Sequence, residues 1–122
     1  MLAGPYGDVW PVIGPAGNGH MSILDFARWG AWHAAEGKRM PALVMPETAV
    51  KLHTPVIDTP PKPDAPPGTP KGGGYALGWG IARPVWARNP LLSHGGSNGL
   101  NLALIYIDTK EDLAIVLVTN IA

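Results

Sequence analysis

Apolar residues recur at helical spacing in one part of this chain and crowd together in another. From Ser22 to Lys38 the sequence reads SILDFARWGAWHAAEGK, and Ile23, Phe26, Ala27, Gly30 and Ala34 fall on one helical face. Ser22 can accept hydrogen bonds from the first turn, and Asp25, three residues on, completes a capping-box pattern. Gly37 suits the left-handed position that ends a helix, with Lys38 and Arg39 near the negative end of the dipole. A helix over residues 22–36 is predicted. A shorter one is predicted over 46–53, where Pro46 fits the first helical position, Glu47 the first turn, and Pro55 stops the element.

The last third has strand character. YALGWGIARPVW at 75–86 reads as a strand in which Gly78 and Gly80 mark a close approach or a bulge. LLSHG is a short strand or strand end. LNLALIYI at 100–107 and LAIVLVTN at 113–120 are joined by DTKED, a hairpin loop. Both are apolar at nearly every position, the pattern of strands covered on both faces. One long helix can cover one face, which leaves the covering of the other unexplained. The predicted architecture is α+β, an antiparallel sheet of three to four strands with one long and one short helix.

Proline and glycine divide the chain. Pro5, Pro11 and Pro15, with GPAGNG at 14–19, make residues 1–21 irregular. Seven of the fourteen prolines lie between 55 and 70, followed by three consecutive glycines, so this stretch is a long surface loop and the least ordered part. The 122 residues therefore form a single domain with a helical part at 22–53, a Pro/Gly-rich loop at 55–74 and a sheet part at 75–122.

Composition narrows the classes. Apolar residues make up 46% and charged residues 15%, enough for a packed core. Nine basic residues balance nine acidic ones without a basic stripe, which argues against nucleic acid or an anionic membrane as partner. With no cysteine there is neither a disulfide nor a thiolate metal site, and the redox compartment is not legible. MLAGPYGDVWP does not read as a signal peptide, and no stretch reaches the roughly 18 apolar residues of a transmembrane helix. The localisation is therefore left unassigned. Trp29 and Trp32 on the helix and Trp79 and Trp86 near strands read as core or interface residues before they read as a carbohydrate platform.

The candidate chemistry sits at residues 91–101, LLSHGGSNGLN. His94 is flanked by Gly95 and Gly96, whose backbone can approach a ligand without a Cβ in the way, and Ser97 and Asn98 follow. A histidine beside such an edge can bind a carboxylate or move a proton; a lone histidine near a strand end can equally be an ordinary hydrogen-bonded residue. His20, His33, His53 and His94 form no H-x-H or H-E-x-x-H pattern, so no metal site is assigned, and no cofactor is called for. The serines are Ser22, Ser93 and Ser97; none has lysine three residues on, and no G-x-S-x-G occurs. Ser22 reads as a helix cap. No complete catalytic set is present.

Three segments, in order, resemble serine β-lactamase-related proteins, the class C β-lactamase, D,D-peptidase and esterase group of penicillin-recognising enzymes. GPAGNGHMSILDFARW is similar to the segment that opens a helix in that group, and MPETAVKLHTP to the short helix after it. YALGWGI with LSHGGSNGLNLALIYIDTKEDLAIVLVTN is similar to the final sheet strands. The likeness covers roughly residues 10–120. It implies that His94-Gly95-Gly96 is the His-x-Gly form of the third active-site motif, on a strand edge lining the acyl site. It further implies that His94, Gly96, Ser97 and Asn98 contact substrate, with a backbone N–H near Ser97 serving an oxyanion hole.

The departures are equally specific. The group's Ser-x-x-Lys is absent, and Tyr6-Gly7-Asp8, Tyr75-Ala76-Leu77 and Tyr106-Ile107-Asp108 all fail its Tyr-x-Asn. The expectation is an incomplete C-terminal region of a β-lactamase-like fold, not catalytic alone. In that fold the 22–36 helix would lie in a helical region away from the sheet. The alternative is a stand-alone binding or self-assembly module. In either case the expected partner is a second copy or the remainder of the parent fold.

Overall fold

The structure, a computed structural model, describes residues 12, 14–60, 64 and 73–120. The expected irregularity of residues 1–11 and the expected disorder within 61–72 lie outside the described residues, apart from residue 64. A single helical turn, α1 (Gly14–Gly17), replaces part of the predicted irregular stretch; Asn18 N–H closes it by donating to Gly14 O. The two predicted helices form as α2 (Ile23–Ala34) and α3 (Pro46–His53).

The sheet is larger than expected. Six strands, β1 (Ile57–Thr59), β2 (Gly73–Tyr75), β3 (Gly80–Ala82), β4 (Leu91–Ser97), β5 (Leu102–Asp108) and β6 (Leu113–Thr119), pair antiparallel in sequence order. The three-to-four-strand expectation failed in two places. The predicted 75–86 strand is two short strands, because the chain reverses at 76–79, where Ala76 N–H donates to Trp79 O at 2.7 Å and Gly78 has φ +87°, a conformation glycine adopts without a Cβ penalty. The proline-rich stretch contributes β1, whose three residues pair with β2 from Ile57 opposite Tyr75 to Thr59 opposite Gly73.

Helix α2 begins as the sequence indicates. Ser22 holds extended backbone and its Oγ accepts from Asp25 N–H at 3.1 Å, while the hydroxyl donates to Asp25 Oδ2 at 2.7 Å. The helix ends in a left-handed turn in which Gly37, φ +74°, donates its N–H to Trp32 O, the six-to-one bond of a Schellman cap. Gly37 also admits α3, since a Cβ there would stand 3.2 Å from the buried Ala49.

The helix does not lie away from the sheet; it packs on β5 and β6. Gly30 makes this close approach possible, because a Cβ on it would meet the Ala114 Cβ at 2.9 Å and Ile105 Cδ1 at 3.2 Å. The core is Ala34, Ala76, Trp79, Leu92, Ile105 and Ile107, with Phe26, Ile81, Ala114 and Val116 packed against it. Ile23, predicted on the inner face, is instead substantially exposed. The expectation of strands covered on both faces fails at β6. Ala114 and Val116 turn towards α2, while Leu113, Ile115 and Leu117 stand on the opposite face, each about half exposed.

Candidate functional site

Strand β4 carries the predicted site residues, and its pairing changes along its length. Leu91, Leu92 and Ser93 are opposite Ala82, Ile81 and Gly80 of β3. On the other side, Leu92 to Ser97 pair continuously with β5, ending with His94 opposite Ile105, Gly95 opposite Leu104, Gly96 opposite Ala103 and Ser97 opposite Leu102. From His94 to Ser97, therefore, β4 is paired on one side only among the described residues. Alternate residues of an antiparallel strand direct N–H and C=O to the same edge, so this four-residue stretch offers main-chain donors and acceptors to an extended partner.

Directly opposed residues share a face, which places the side chains. His94 shares the α2 side of the sheet with Ile105 and Val116, and Gly96 shares it with Ala103 and Val118. His94, Gly96 and Val118 are exposed, so α2 does not reach this end of the sheet. A Cβ on Gly96 would meet nothing within 4 Å. The fold around Gly96 does not need a glycine for space. Gly95 differs: a Cβ there would meet Leu104 Cδ2 at 2.8 Å, the tip of a flexible side chain.

The β4–β5 turn uses the polar residues that follow. Asn98 Oδ1 accepts from Leu100 N–H at 3.0 Å and Asn101 N–H at 2.8 Å, and Ser97 Oγ accepts from Gly99 N–H at 3.0 Å. Gly99, at φ +82°, supplies the left-handed residue of the turn. The Asn98 carbonyl oxygen and the Ser97 hydroxyl thus order the loop, while the edge of 94–97 away from β5 stays unpaired among the described residues.

Among the described residues no serine hydroxyl is hydrogen-bonded to a lysine, histidine or tyrosine. Ser22 Oγ is spent on the α2 cap, Ser93 Oγ donates to Gly80 O at 3.3 Å, and Ser97 Oγ serves the turn. Among the described residues no group of three or more His, Cys, Asp or Glu is placed to hold a metal ion, and no helix is long and apolar enough to cross a membrane.

Sequence reasoning missed two features. Asp108, at the end of β5, is buried and accepts from Lys110 N–H, Glu111 N–H and Asn89 Nδ2. Burial works to raise its pKa, but the bonds from Asn89 and the two backbone N–H groups outweigh it and hold the carboxyl below its ordinary value. The Asp-x-x-Glu spacing of DTKE was a legible turn signal that pointed to this cap.

The second is a pair of histidines. His33 Nδ1 in α2 and His53 Nε2 at the end of α3 lie 2.8 Å apart. Burial, and then the neighbouring His53, push the His33 pKa down to about 4; burial also lowers that of His53, partly opposed by Glu36. Nothing in the spacing of two residues on separate helices announces such a contact. Of the four tryptophans among the described residues, Trp32 and Trp79 are buried, and Trp29 and Trp86 are exposed.

The sequence model of the Beta-lactamase family matches residues 1–122. No curated protein and no solved structure gives a significant match.

Proposed function

The chain belongs to the Beta-lactamase family, and from that premise we propose that it forms the substrate-side wall of a serine acyl hydrolase of the class C β-lactamase, D,D-peptidase or esterase type and does not hydrolyse substrate alone. The observation that carries this reading is the glycine-rich stretch of β4, His94 to Ser97, paired on one side only among the described residues and with vacant space over Gly96. An extended acyl substrate lies along that edge and exchanges main-chain hydrogen bonds with it, as an added strand would. His94 faces the substrate carboxylate, and a backbone N–H near Ser97 donates to the oxyanion that develops when the acyl carbon becomes tetrahedral.

The covalent step needs a serine whose proton is taken by a base, and then water to release the acyl group. This chain has neither Ser-x-x-Lys nor Tyr-x-Asn, and its three serine hydroxyls are engaged elsewhere. The nucleophile and its base belong to another polypeptide segment. Incubation with a fluorescent penicillin and with a fluorophosphonate should leave the chain unlabelled by mass spectrometry; a stoichiometric adduct on Ser22, Ser93 or Ser97 would overturn the non-catalytic reading. A D-amino-acid dipeptide with a free carboxylate should shift the amide resonances of residues 94–98. Shifts elsewhere, or none, would remove the edge from the substrate site.

The bare face of β6 favours a second reading, self-assembly. Leu113, Ile115 and Leu117 line it, and β6 is the terminal strand of the sheet. A second copy covers the apolar face and gives the outer edge of β6 a partner. Light scattering should show a mass that rises with concentration, and a monomer at all concentrations would refute it.

A further inference from the structure

The acyl-site reading leaves buried His33 and half-buried His53 unused. His33 is enclosed by three indoles: Trp29, Trp32 and Trp79 make edge contacts with its ring at centroid distances of 4.3, 4.9 and 4.8 Å. His53 joins it from α3 through the 2.8 Å Nδ1···Nε2 contact. The outward nitrogens, His33 Nε2 and His53 Nδ1, are buried with no hydrogen-bond partner among the described residues.

Proton counting defines what this contact can do. A hydrogen bond between two imidazoles needs one N–H and one bare nitrogen. Two neutral rings satisfy it. One added proton places a positive charge among indoles. Two added protons point N–H at N–H and abolish the bond. The charged groups nearby do little to relieve this. Glu36, in the turn after α2, is the carboxylate whose field reaches His53, and it is engaged by Lys38 at 3.2 Å. Helix α3 brings only Glu47 and Lys51, both exposed, and the 76–79 turn that packs against both rings carries no charged residue.

We propose that the His33–His53 contact is an acid-released latch that holds α3 against α2 and Trp79. The attachments of this unit are few. Beyond the histidine bond and the Gly37–Ala49 contact, α3 is tied to the 76–79 turn by Leu77 N–H donating to Leu52 O at 3.3 Å, while the chain after it is held separately, by Val56 N–H donating to Tyr75 O at 2.9 Å and by the pairing of β1 with β2. The crossing of α2 over β5 and β6 runs through Gly30, beside Ile105, Ala114 and Val116, and not through His53, so it persists when α3 is released.

The direction follows from which state binds protons more readily. The closed state keeps both rings neutral, whereas a released ring titrates near 6.5. The latch is therefore at full strength above pH 6.5 and weakens as pH falls towards about 4. Complete release of His33 would raise the opening constant by at most roughly 20-fold between pH 7 and pH 5; Trp29 and Trp32, which stay beside it on α2, keep its share below that, and released His53 adds its own.

Amide hydrogen exchange on the intact chain, corrected for the intrinsic pH dependence of exchange, tests this. Protection of residues 48–54 should fall severalfold between pH 7.5 and pH 5, while residues 103–107 in β5 hold theirs. In His53→Gln, whose amide keeps a partner for His33 without titrating, the fall should be smaller. Should that variant not fold, the imidazole resonances of the unaltered chain decide: both should titrate below the ordinary histidine value. A ring titrating at or above that value, or α3 protection that ignores pH, overturns the proposal.

Discussion

The two faces of the β5–β6 hairpin are built from the same kinds of residue and meet different fates. On one side Ile105, Ile107, Ala114 and Val116 lie under α2 or in the core beside it, with Ile107 wholly buried. On the other, Leu113, Ile115 and Leu117 are about half exposed, and Tyr106 is partly covered by Trp86, at a ring-centroid distance of 5.8 Å. An apolar strand pattern records that both faces are meant to be covered, but not by what. The covered face shows how a cover is specified: a glycine at the crossing, small residues opposite it, and a capped helix of the right length. The bare face has no such counterpart among the described residues.

If that contrast is real, the largest loss of stability should come from the covered side. Ile107→Ala should cost about 2–5 kcal/mol in chemical denaturation, because it removes a fully buried side chain and leaves a cavity under rigid neighbours. Gly30→Ala should cost about 1 kcal/mol. Alanine favours the helix by roughly 1 kcal/mol over glycine, but its Cβ would stand 2.9 Å from that of Ala114, and overpacking of this kind costs about 1–3 kcal/mol. Adding Ala114→Gly should recover part of the loss. A Gly30→Ala variant more stable than the parent would mean that α2 does not sit this close.

The covered side was partly legible. Ser22, Asp25 and Gly37 announced α2 because capping is local chemistry, with donor and acceptor a few residues apart. The inner face was read well at Gly30 and Ala34 and missed at Trp32 and at His33, whose partners are His53 of α3 and Trp79 of the 76–79 turn. Those partners are distant in sequence. The same limit hid the His33–His53 contact and the 2.6 Å ion pair of Arg39 with Asp112. The sheet was undercounted because three-residue strands carry no periodicity. At the candidate site, the sequence singled out 94–98 by its glycines. The one-sided pairing of β4, which gives those glycines their meaning, depends on β3 beginning only at Gly80, after the 76–79 turn, and three residues cannot announce that.

Asp108 tests how the hairpin holds its two strands in register. Asp108→Ala leaves the N–H groups of Lys110 and Glu111 and the Asn89 amide without their acceptor. The expected cost is about 1–2 kcal/mol, less than for Ile107 because water can reach the turn. Asparagine at this position should lose less than alanine, since it retains one acceptor oxygen. Equal losses would assign the effect to charge.

Leu117→Thr should have the smallest effect on folding and is the sharpest test of the bare face. Leu117 stands opposite Leu104 and is 50% exposed. Threonine, being β-branched, suits a strand at least as well as leucine, so the folded monomer should lose only about 0.5 kcal/mol. Association is another matter. A leucine that is half exposed in the monomer and covered in a dimer contributes about 1 kcal/mol from each copy, so the substitution should weaken self-association by roughly tenfold or more. Sedimentation across a concentration series separates the outcomes. An unchanged association constant would mean that the copies meet elsewhere, and the bare face would then await a partner other than itself. A loss of stability as large as that of Ile107→Ala would mean that the face is already buried, and the difference between the two sides of the hairpin would disappear.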